Sequence, residues 1–453
     1  MSVSKERLIV IGGDAAGMSA ASQARRSRSD LEIVAFERGP HTSYSACSIP
    51  YYVGGYVDEA QRLVVRKPET FRERYQIDAH VLHEVTEIDL AGRRVRVHKT
   101  GEHDSWWESF DQLLVATGAL PVTPDVPGAG ADGIFGVSTL QSGIRVRQAV
   151  DERRPASAVV VGGGYIGLEM AEALQDRGVE VAILEKMPQV MNTLDADMAA
   201  RVVDALRAAG IDVYLEETLV GFEAQEGRLV GVVTDRRTLP ADIAILGMGV
   251  RPNAGLAAEA GLPLGVRGSI VVNERMQTPV DGVWAAGDCV QSFHLVSRRP
   301  TYIALATVAN KQGRVAGVNI GGGYVAFPGV LGTAMTKFRD LEIGRTGLQE
   351  REIAALGWEC ETAAIEDHTH SPILPGSGRI AVKLLAERGS GRLLGGQIVG
   401  AQGSAKRIDI VAVALHAGMT VDEVVDLDLG YAPPYSPVWD PVAIAARQLT
   451  KRV

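Results

Sequence analysis

Cys47 is the residue whose surroundings best suit sulfur chemistry. It lies in the run Ser43-Tyr44-Ser45-Ala46-Cys47-Ser48-Ile49-Pro50-Tyr51-Tyr52, with no second cysteine nearby. Pro50 is favoured in a first helical turn, which predicts Cys47 at a helix N-terminus. Unpaired N–H groups at such a terminus stabilise a thiolate, so the sulfur is expected to be ionised and nucleophilic. The other two cysteines, Cys289 beside a Gly-Asp turn and Cys360, read as small apolar side chains.

A second chemistry is written twice in glycine. Gly12-Gly13-Asp14-Ala15-Ala16-Gly17 follows the apolar run Leu8 to Ile11, and the acid Glu37 stands 25 residues beyond Gly12. Gly162-Gly163-Gly164-Tyr165-Ile166-Gly167 follows Ala158 to Val161, and Glu185 stands 23 residues beyond Gly162. Glycines let backbone approach a pyrophosphate, a helix N-terminus offers free N–H groups, and the acid accepts from ribose hydroxyls. Both units therefore read as dinucleotide sites, and two such sites imply electrons passing from one cofactor to the other. The first turn carries Asp14 where the middle glycine belongs. A carboxylate aimed at a pyrophosphate would repel it, so Asp14 is expected to turn away.

Elements that can hold these turns follow from the pattern. Continuous apolar runs such as Leu8–Ile11 suit strands buried on both faces. Each turn opens a helix, to about Arg26 in the first unit and over Leu168–Asp176 in the second. A further strand follows in each, Glu32–Phe36 and Val179–Leu184, and ends at the acid. The chain has 453 residues, enough for about three domains. Charged residues make up 22% and apolar ones 46%, which excludes disorder as a dominant state. Glycine, at 51 residues, exceeds the usual share of ~7% without a collagen period. Three cysteines are too few for a disulfide scaffold and fit a reducing cytoplasm. Net charge is −9, and basic residues occur only in pairs such as Arg25-Arg26, Arg66-Lys67 and Arg298-Arg299, which speaks against a nucleic-acid partner. Met1–Arg7 lacks a signal-peptide core, and no apolar span approaches the ~20 residues of a membrane helix. No membrane partner and a soluble, cytoplasmic protein are expected, with no metal site.

These motifs resemble the two-dinucleotide-binding-domain flavoprotein disulfide reductases over essentially the whole chain. The resemblance implies an α/β fold with two Rossmann-like domains, for FAD and NAD(P)H, plus a C-terminal α+β dimerisation domain. The implied bounds are 1–125 and 255–325 for FAD, 126–254 for NAD(P)H and 326–453 for dimerisation. Asp125–Gly130 is expected as a linker, and Gly321–Gly323 as the entry to the last domain. FAD falls to Gly12, Gly17, Glu37, Arg38 and Val85. Ala116, Thr117 and Gly118, in the returning stretch Asp111–Ala119, join them. So do Gly287 and Asp288, whose Asp binds the flavin's ribityl hydroxyls in the family. NADH falls to Gly162, Gly164, Tyr165, Ile166, Gly167, Glu169, Glu185, Lys186 and Gly249, with Tyr165 as a gate and Glu169 near the stacking site. Glu185 favours NADH because it repels a 2′-phosphate, while Lys186 leaves room for dual use with NADPH. Lys311 and Arg314 resemble positions on the family's flavin-side helix.

The family's classical members carry a Cys-x4-Cys pair. Here Thr42 and Tyr52 occupy the positions five residues either side of Cys47, so the chain resembles the single-cysteine branch of coenzyme A-disulfide reductases, NADH oxidases and NADH peroxidases. There the lone sulfur cycles through a mixed disulfide, persulfide or sulfenic acid. Peroxidases and water-forming oxidases carry His in the first glycine turn, where this chain has Ala15, which favours a disulfide substrate. Leu429–Pro437 resembles the Tyr-Ala-Pro-Pro-Tyr-Ser signature of coenzyme A-disulfide reductases. It implies that Tyr431 and Tyr435 reach the partner's active cysteine in a homodimer with shared active sites. One departure is Ile373-Leu374-Pro375-Gly376, where those enzymes have Tyr-Tyr-Pro-Gly. It opens room for persulfide, polysulfide, another small disulfide or oxygen. Arg25, Arg62 and Arg66 are the candidate anchors for the adenine-nucleotide phosphates of coenzyme A. The expected activity is FAD-dependent NAD(P)H:disulfide oxidoreduction with coenzyme A disulfide or a related disulfide. The alternatives are a persulfide or polysulfide reductase, an NADH oxidase, or a flavin redox sensor without turnover.

Overall fold

The computed structural model describes residues 5–453, so the first four residues of the Met1–Arg7 stretch lie outside the described residues. The first apolar run forms the strand Arg7–Ile11, whose Leu8, Ile9 and Val10 are wholly buried. It pairs in parallel on both sides, with Glu32–Glu37 and Gln112–Val115. The full sheet runs in the order Val283–Ala285, Gln112–Val115, Arg7–Ile11, Glu32–Glu37, Asp78–Val81. A strand from residue 283 thus completes a sheet begun at residue 7, as a chain that leaves and returns requires.

The second sheet repeats the plan with Asp212–Leu215, Glu180–Glu185, Ser157–Val161, Ile243–Leu246 and Ile134–Gly136. Its helix spans Tyr165–Gln175, so it starts three residues earlier than the pattern predicts, directly after Gly164. The last residues of the glycine turn therefore form the first helical turn. The strands Ala119–Pro121 and Val250–Pro252 pair as an antiparallel ribbon where the chain enters and leaves this region. The first-unit helix Ala15–Ser27 packs on Ala306–Ile320. Their approach is close: a Cβ on Gly313 would lie 2.3 Å from the carbonyl oxygen of Ala16.

The third sheet is antiparallel, in the order Ala334–Phe338, Leu341–Gly347, Leu393–Gly400, Arg379–Glu387, Cys360–His368. Its central strands are buried on both faces. One face packs under the helices Ile408–Ala417 and Pro441–Leu449. On the other, Phe338, Ile343, Ala381 and Val399 join the core of the second sheet's helices. The C-terminal unit is therefore welded to the second nucleotide unit by apolar contact. Among the described residues no helix is long and apolar enough to cross a membrane.

Candidate active-site cleft

One cleft of about 1740 Å³ receives both glycine turns and Cys47. A single ligand usually occupies ~300–1,000 Å³, so this volume suits two bound groups. Gly12, Glu37, Arg38, Val85, Ala116, Thr117, Gly118 and Asp288 line it from the first unit. Gly162, Gly164, Tyr165, Ile166, Glu169, Glu185, Lys186 and Gly249 line it from the second.

The two turns are built alike. Gly12 has φ +111° and Gly162 φ +106°. A Cβ would lie 2.2 Å from the Ala116 carbonyl oxygen at Gly12, and 2.5 Å from that of Gly247 at Gly162. The acids brace their own turns. Glu37 accepts from the N–H of Gly13 at 2.8 Å and of Gly39 at 2.7 Å. Glu185 accepts from the N–H of Gly163 at 2.8 Å and of Met187 at 2.9 Å. A carboxylate has about four acceptor sites, so each acid keeps capacity for a ligand hydroxyl.

Three glycines predicted to bind cofactor do not line the cleft. A Cβ on Gly17 or Gly167 would lie 1.9 Å from the carbonyl oxygen of Gly12 or Gly162 respectively, so these two seat the helix on its turn. Gly287 instead donates its N–H to Gln312 Oε1 at 2.9 Å. Gln312 is wholly buried and also donates to Ser292 Oγ at 2.9 Å, while Lys311 and Arg314 on the same helix are exposed.

Carboxyl groups dominate the electrostatics. Asp14 turns toward the Cys47 loop, where Oδ1 accepts the Tyr44 N–H at 3.2 Å. Burial pushes it up to about 7, helped by the charges of Glu37 and Asp288. Asp288 is pushed up to about 6 by burial, and its Oδ1 is buried with no hydrogen-bond partner. An orphaned acceptor facing a cleft calls for a donor such as a ligand hydroxyl.

Cys47 occupies a single turn, Ala46–Ser48, ahead of the six-residue helix Ile49–Gly54 with Pro50 in its first turn. Burial works against the thiolate stabilisation expected from that helix start. Cys47 is open to the cleft but walled by protein, and this burial pushes its thiol up, followed by the charges of Glu169, Asp288 and Asp14. The Cys47 backbone N–H pulls the other way. Cys289 is buried, with its thiol on the Ala286 carbonyl at 3.4 Å, whereas Cys360 is half-buried rather than fully so.

Tyr431 and Tyr435 are 51% and 78% exposed and lie outside the cleft. None of the three candidate arginines lines it either. Arg25 spends its donors on the carbonyls of Tyr75, Gln76, Arg28 and Ser29, so its role is to tie loops together. Arg62 is exposed, 4.0 Å from Asp58, and Arg66 lies over the Tyr75 ring at 5.4 Å. Sequence reasoning missed two partners of the second turn. Thr193 Oγ1 donates to the Tyr165 hydroxyl at 3.3 Å, and Thr336 Oγ1 donates to Glu169 Oε1 at 2.9 Å. No local pattern marks either threonine, because each comes from a separate segment.

Known proteins share this arrangement. Residues 6–313 match the family model described as pyridine nucleotide-disulphide oxidoreductase, and residues 333–442 match that family's dimerisation domain. The chain belongs to the pyridine nucleotide-disulphide oxidoreductase family. It is 38% identical over 445 residues to the NAD(P)H sulfur oxidoreductase (CoA-dependent) of Pyrococcus abyssi, covering 98% of each chain. The reduced CoADR-RHD of Bacillus anthracis superposes with a TM-score of 0.96 at 34% identity, over 99% of this chain and 81% of that one. A NAD-dependent persulfide reductase from A. fulgidus gives 0.95 at 37% identity, over 98% and 83%. As a pyridine nucleotide-disulphide oxidoreductase, the chain is an enzyme that works with FAD and NAD(P)H and carries a dimerisation domain. The residues present fit those cofactors: two turns that only glycine can form, two braced acids and the free oxygen of Asp288.

Proposed function

We propose that this oxidoreductase reduces the S–S bond of coenzyme A disulfide, or of a related small disulfide, through Cys47 alone. One observation carries the reading: Cys47 opens into the cleft shared by both glycine turns, while Cys289 and Cys360 are elsewhere and unpaired. Residues 1–125 and 255–325 serve FAD, 126–254 serve NAD(P)H and 326–453 serve dimerisation. The unpaired cysteines support a reducing, cytoplasmic setting.

When bound, the two cofactors supply hydride and electron-pair transfer. The chain does the rest. Glu37 and Glu185 accept ribose hydroxyls while bracing their turns, and Glu185 disfavours a 2′-phosphate, which makes NADH the preferred donor. Asp288 accepts from the ribityl chain with the oxygen that has no protein partner. Tyr165, held by Thr193, gates the nicotinamide side. The Cys47 thiolate attacks one substrate sulfur, forming a mixed disulfide and expelling the first thiolate. A pair of electrons then splits that bond, which regenerates Cys47 and frees the second thiolate. Tyr431 and Tyr435, exposed on their own protomer, reach the Cys47 of the other protomer, and Tyr431 protonates a departing thiolate.

A second reading, a persulfide or polysulfide as acceptor, is favoured by the loop at residues 373–376. Ile373 is 84% exposed, and Leu374 stands where coenzyme A-disulfide reductases have tyrosine. Cys47→Ser should keep FAD and flavin reduction but lose disulfide turnover; full turnover in that variant would remove Cys47 from the chemistry. The mass carried by Cys47 in the isolated protein separates the readings: a coenzyme A adduct supports the first, and one added sulfur atom the second.

A further inference from the structure

The stretch that carries Cys47 is tied at both ends, and the two ties lead to different units. In front, the Ser43 N–H donates to the Gly13 carbonyl at 3.0 Å and the Tyr44 N–H to Asp14 Oδ1 at 3.2 Å. The first glycine turn holds this end. Ser43 has φ +44°, a left-handed conformation that a serine keeps only where its surroundings impose it. Behind Cys47 the helix Ile49–Gly54 has six residues, too few to persist without packing. It rests on the second unit. Ile49, Tyr52 and Val53 are buried in one core with Leu168 and with Val160 and Ile183 of the second sheet. The approach is close: a Cβ on Gly143 would lie 2.4 Å from Ile49 Cγ2, and one on Gly54 3.3 Å from the Ala173 Cα.

The last carbonyls of a helix lack their full set of partners within it. Here two arginines of the second unit take them. Arg147 lies on the helix Leu140–Arg153, whose Leu140 and Val146 join the same core, and donates Nη1 to the Tyr52 carbonyl at 2.6 Å. Arg177, just beyond the helix Tyr165–Gln175, donates Nη1 to the Val53 carbonyl at 3.2 Å. Asp151 orients both: one oxygen accepts Arg147 Nε at 2.7 Å and the other accepts Arg177 Nη2. None of these three residues lines the cleft.

We propose that Arg147 and Arg177, oriented by Asp151, are positioning residues that fix the place of the Cys47 sulfur by clamping the far end of its helix to the second unit. The clamp and the Ser43–Tyr44 tie are the two ends of a strap, and the sulfur lies between them. A displacement of about 1 Å at a reacting atom can cost ~10²-fold in rate. The proposal rests on the reading of Cys47 as the redox sulfur.

A single turnover reads the step that depends on where the sulfur lies. Exchange with coenzyme A disulfide forms a mixed disulfide of Cys47 and coenzyme A on the FAD-loaded protein, and peptide mass verifies its place. NADH then supplies one electron pair: the S–S bond breaks, leaving the Cys47 and coenzyme A thiolates, NAD⁺ and one proton. In Arg147→Met/Arg177→Met the release of coenzyme A should slow at least about tenfold, with flavin reduction by NADH changed less than about twofold. Iodoacetamide needs an accessible thiolate but not its placement, so alkylation of Cys47 should fall by no more than about twofold. Asp151→Ala keeps both positive charges but frees the arginines from their orientation. It should slow release about threefold, and it decides the matter if the double variant does not fold. Unchanged release in either variant, equal slowing of flavin reduction and release, or an equal fall in alkylation overturns the positioning role. Wild-type protein that forms no Cys47 adduct, or whose adduct survives NADH, overturns the reading of Cys47 and the proposal with it.

Discussion

Gly162 and Gly164 stand two residues apart in one turn, yet replacing each by alanine should do opposite things. Gly162 has φ +106°, and a Cβ there would lie 2.5 Å from the Gly247 oxygen and 2.8 Å from its carbonyl carbon, against 3.4 Å or more for ordinary contact. The ends of two neighbouring strands, joined by the Gly247 N–H on the Val161 carbonyl at 2.8 Å, would have to part by about 1 Å. Backbone strain of ~1–3 kcal/mol and overpacking of ~1–3 kcal/mol together give about 2–6 kcal/mol of lost stability. Gly164 has φ −85° and ψ −166°, which any residue adopts, and nothing lies within 4 Å of its Cβ direction. Gly164→Ala should therefore change stability by no more than about 0.5 kcal/mol. Its methyl group would instead occupy the space before the helix where a pyrophosphate approaches, weakening NAD⁺ binding at least about tenfold, or ~1.4 kcal/mol. Urea unfolding and calorimetric titration separate the two effects, with retained FAD as the control for the first unit. Native NAD⁺ affinity in Gly164→Ala would show that the open space is not the ligand's. A wild-type urea midpoint in Gly162→Ala would refute the packing argument.

Two further outcomes follow from the site. Burial raises Asp14 from 3.8 to about 7, so in flavin-free protein its contribution to stability is full below about pH 4 and is lost as pH rises through about 7, by at most about 4 kcal/mol. Asp14→Asn keeps an acceptor for the Tyr44 N–H and should flatten that decline; urea midpoints that run parallel to wild type from pH 4 to 8 would contradict it. Tyr431→Phe should slow the disulfide half-reaction at least about tenfold in stopped flow and leave flavin reduction alone, and the reverse pattern removes Tyr431 from the mechanism.

What could be read from the residues, and what could not, divides along physical lines. Strand, glycine turn, helix and acid are local: each unit spans about 25 residues, and the force that shapes it, backbone crowding at Gly12 or Gly162, acts within the unit or on one neighbouring strand. Both turns and both acids were legible for that reason. Charge balance is not local. The rule that a helix start favours a thiolate is sound for Cys47 taken with its own helix, but burial by the folded chain pushes the thiol up, and the charges of Glu169, Asp288 and Asp14 from three other segments add to it. Thr336 and Glu169 are 167 residues apart in the chain, and Gln397 and Asp195 are 202 apart. Lys383, the one charge in the run Ile380–Ala386, meets Asp195, Asp197 and Glu350, and nothing near it in the chain announces those three acids. Tyr431 and Tyr435 extend the same argument beyond one protomer. Two phenols left 51% and 78% exposed beside a proline-rich turn would find a surface to meet on the second copy that a dimerisation domain brings, as the proposed mechanism requires. The nucleotide turns are thus assembled from local parts, while the protonation of the sulfur between them depends on contacts that only the folded chain can make.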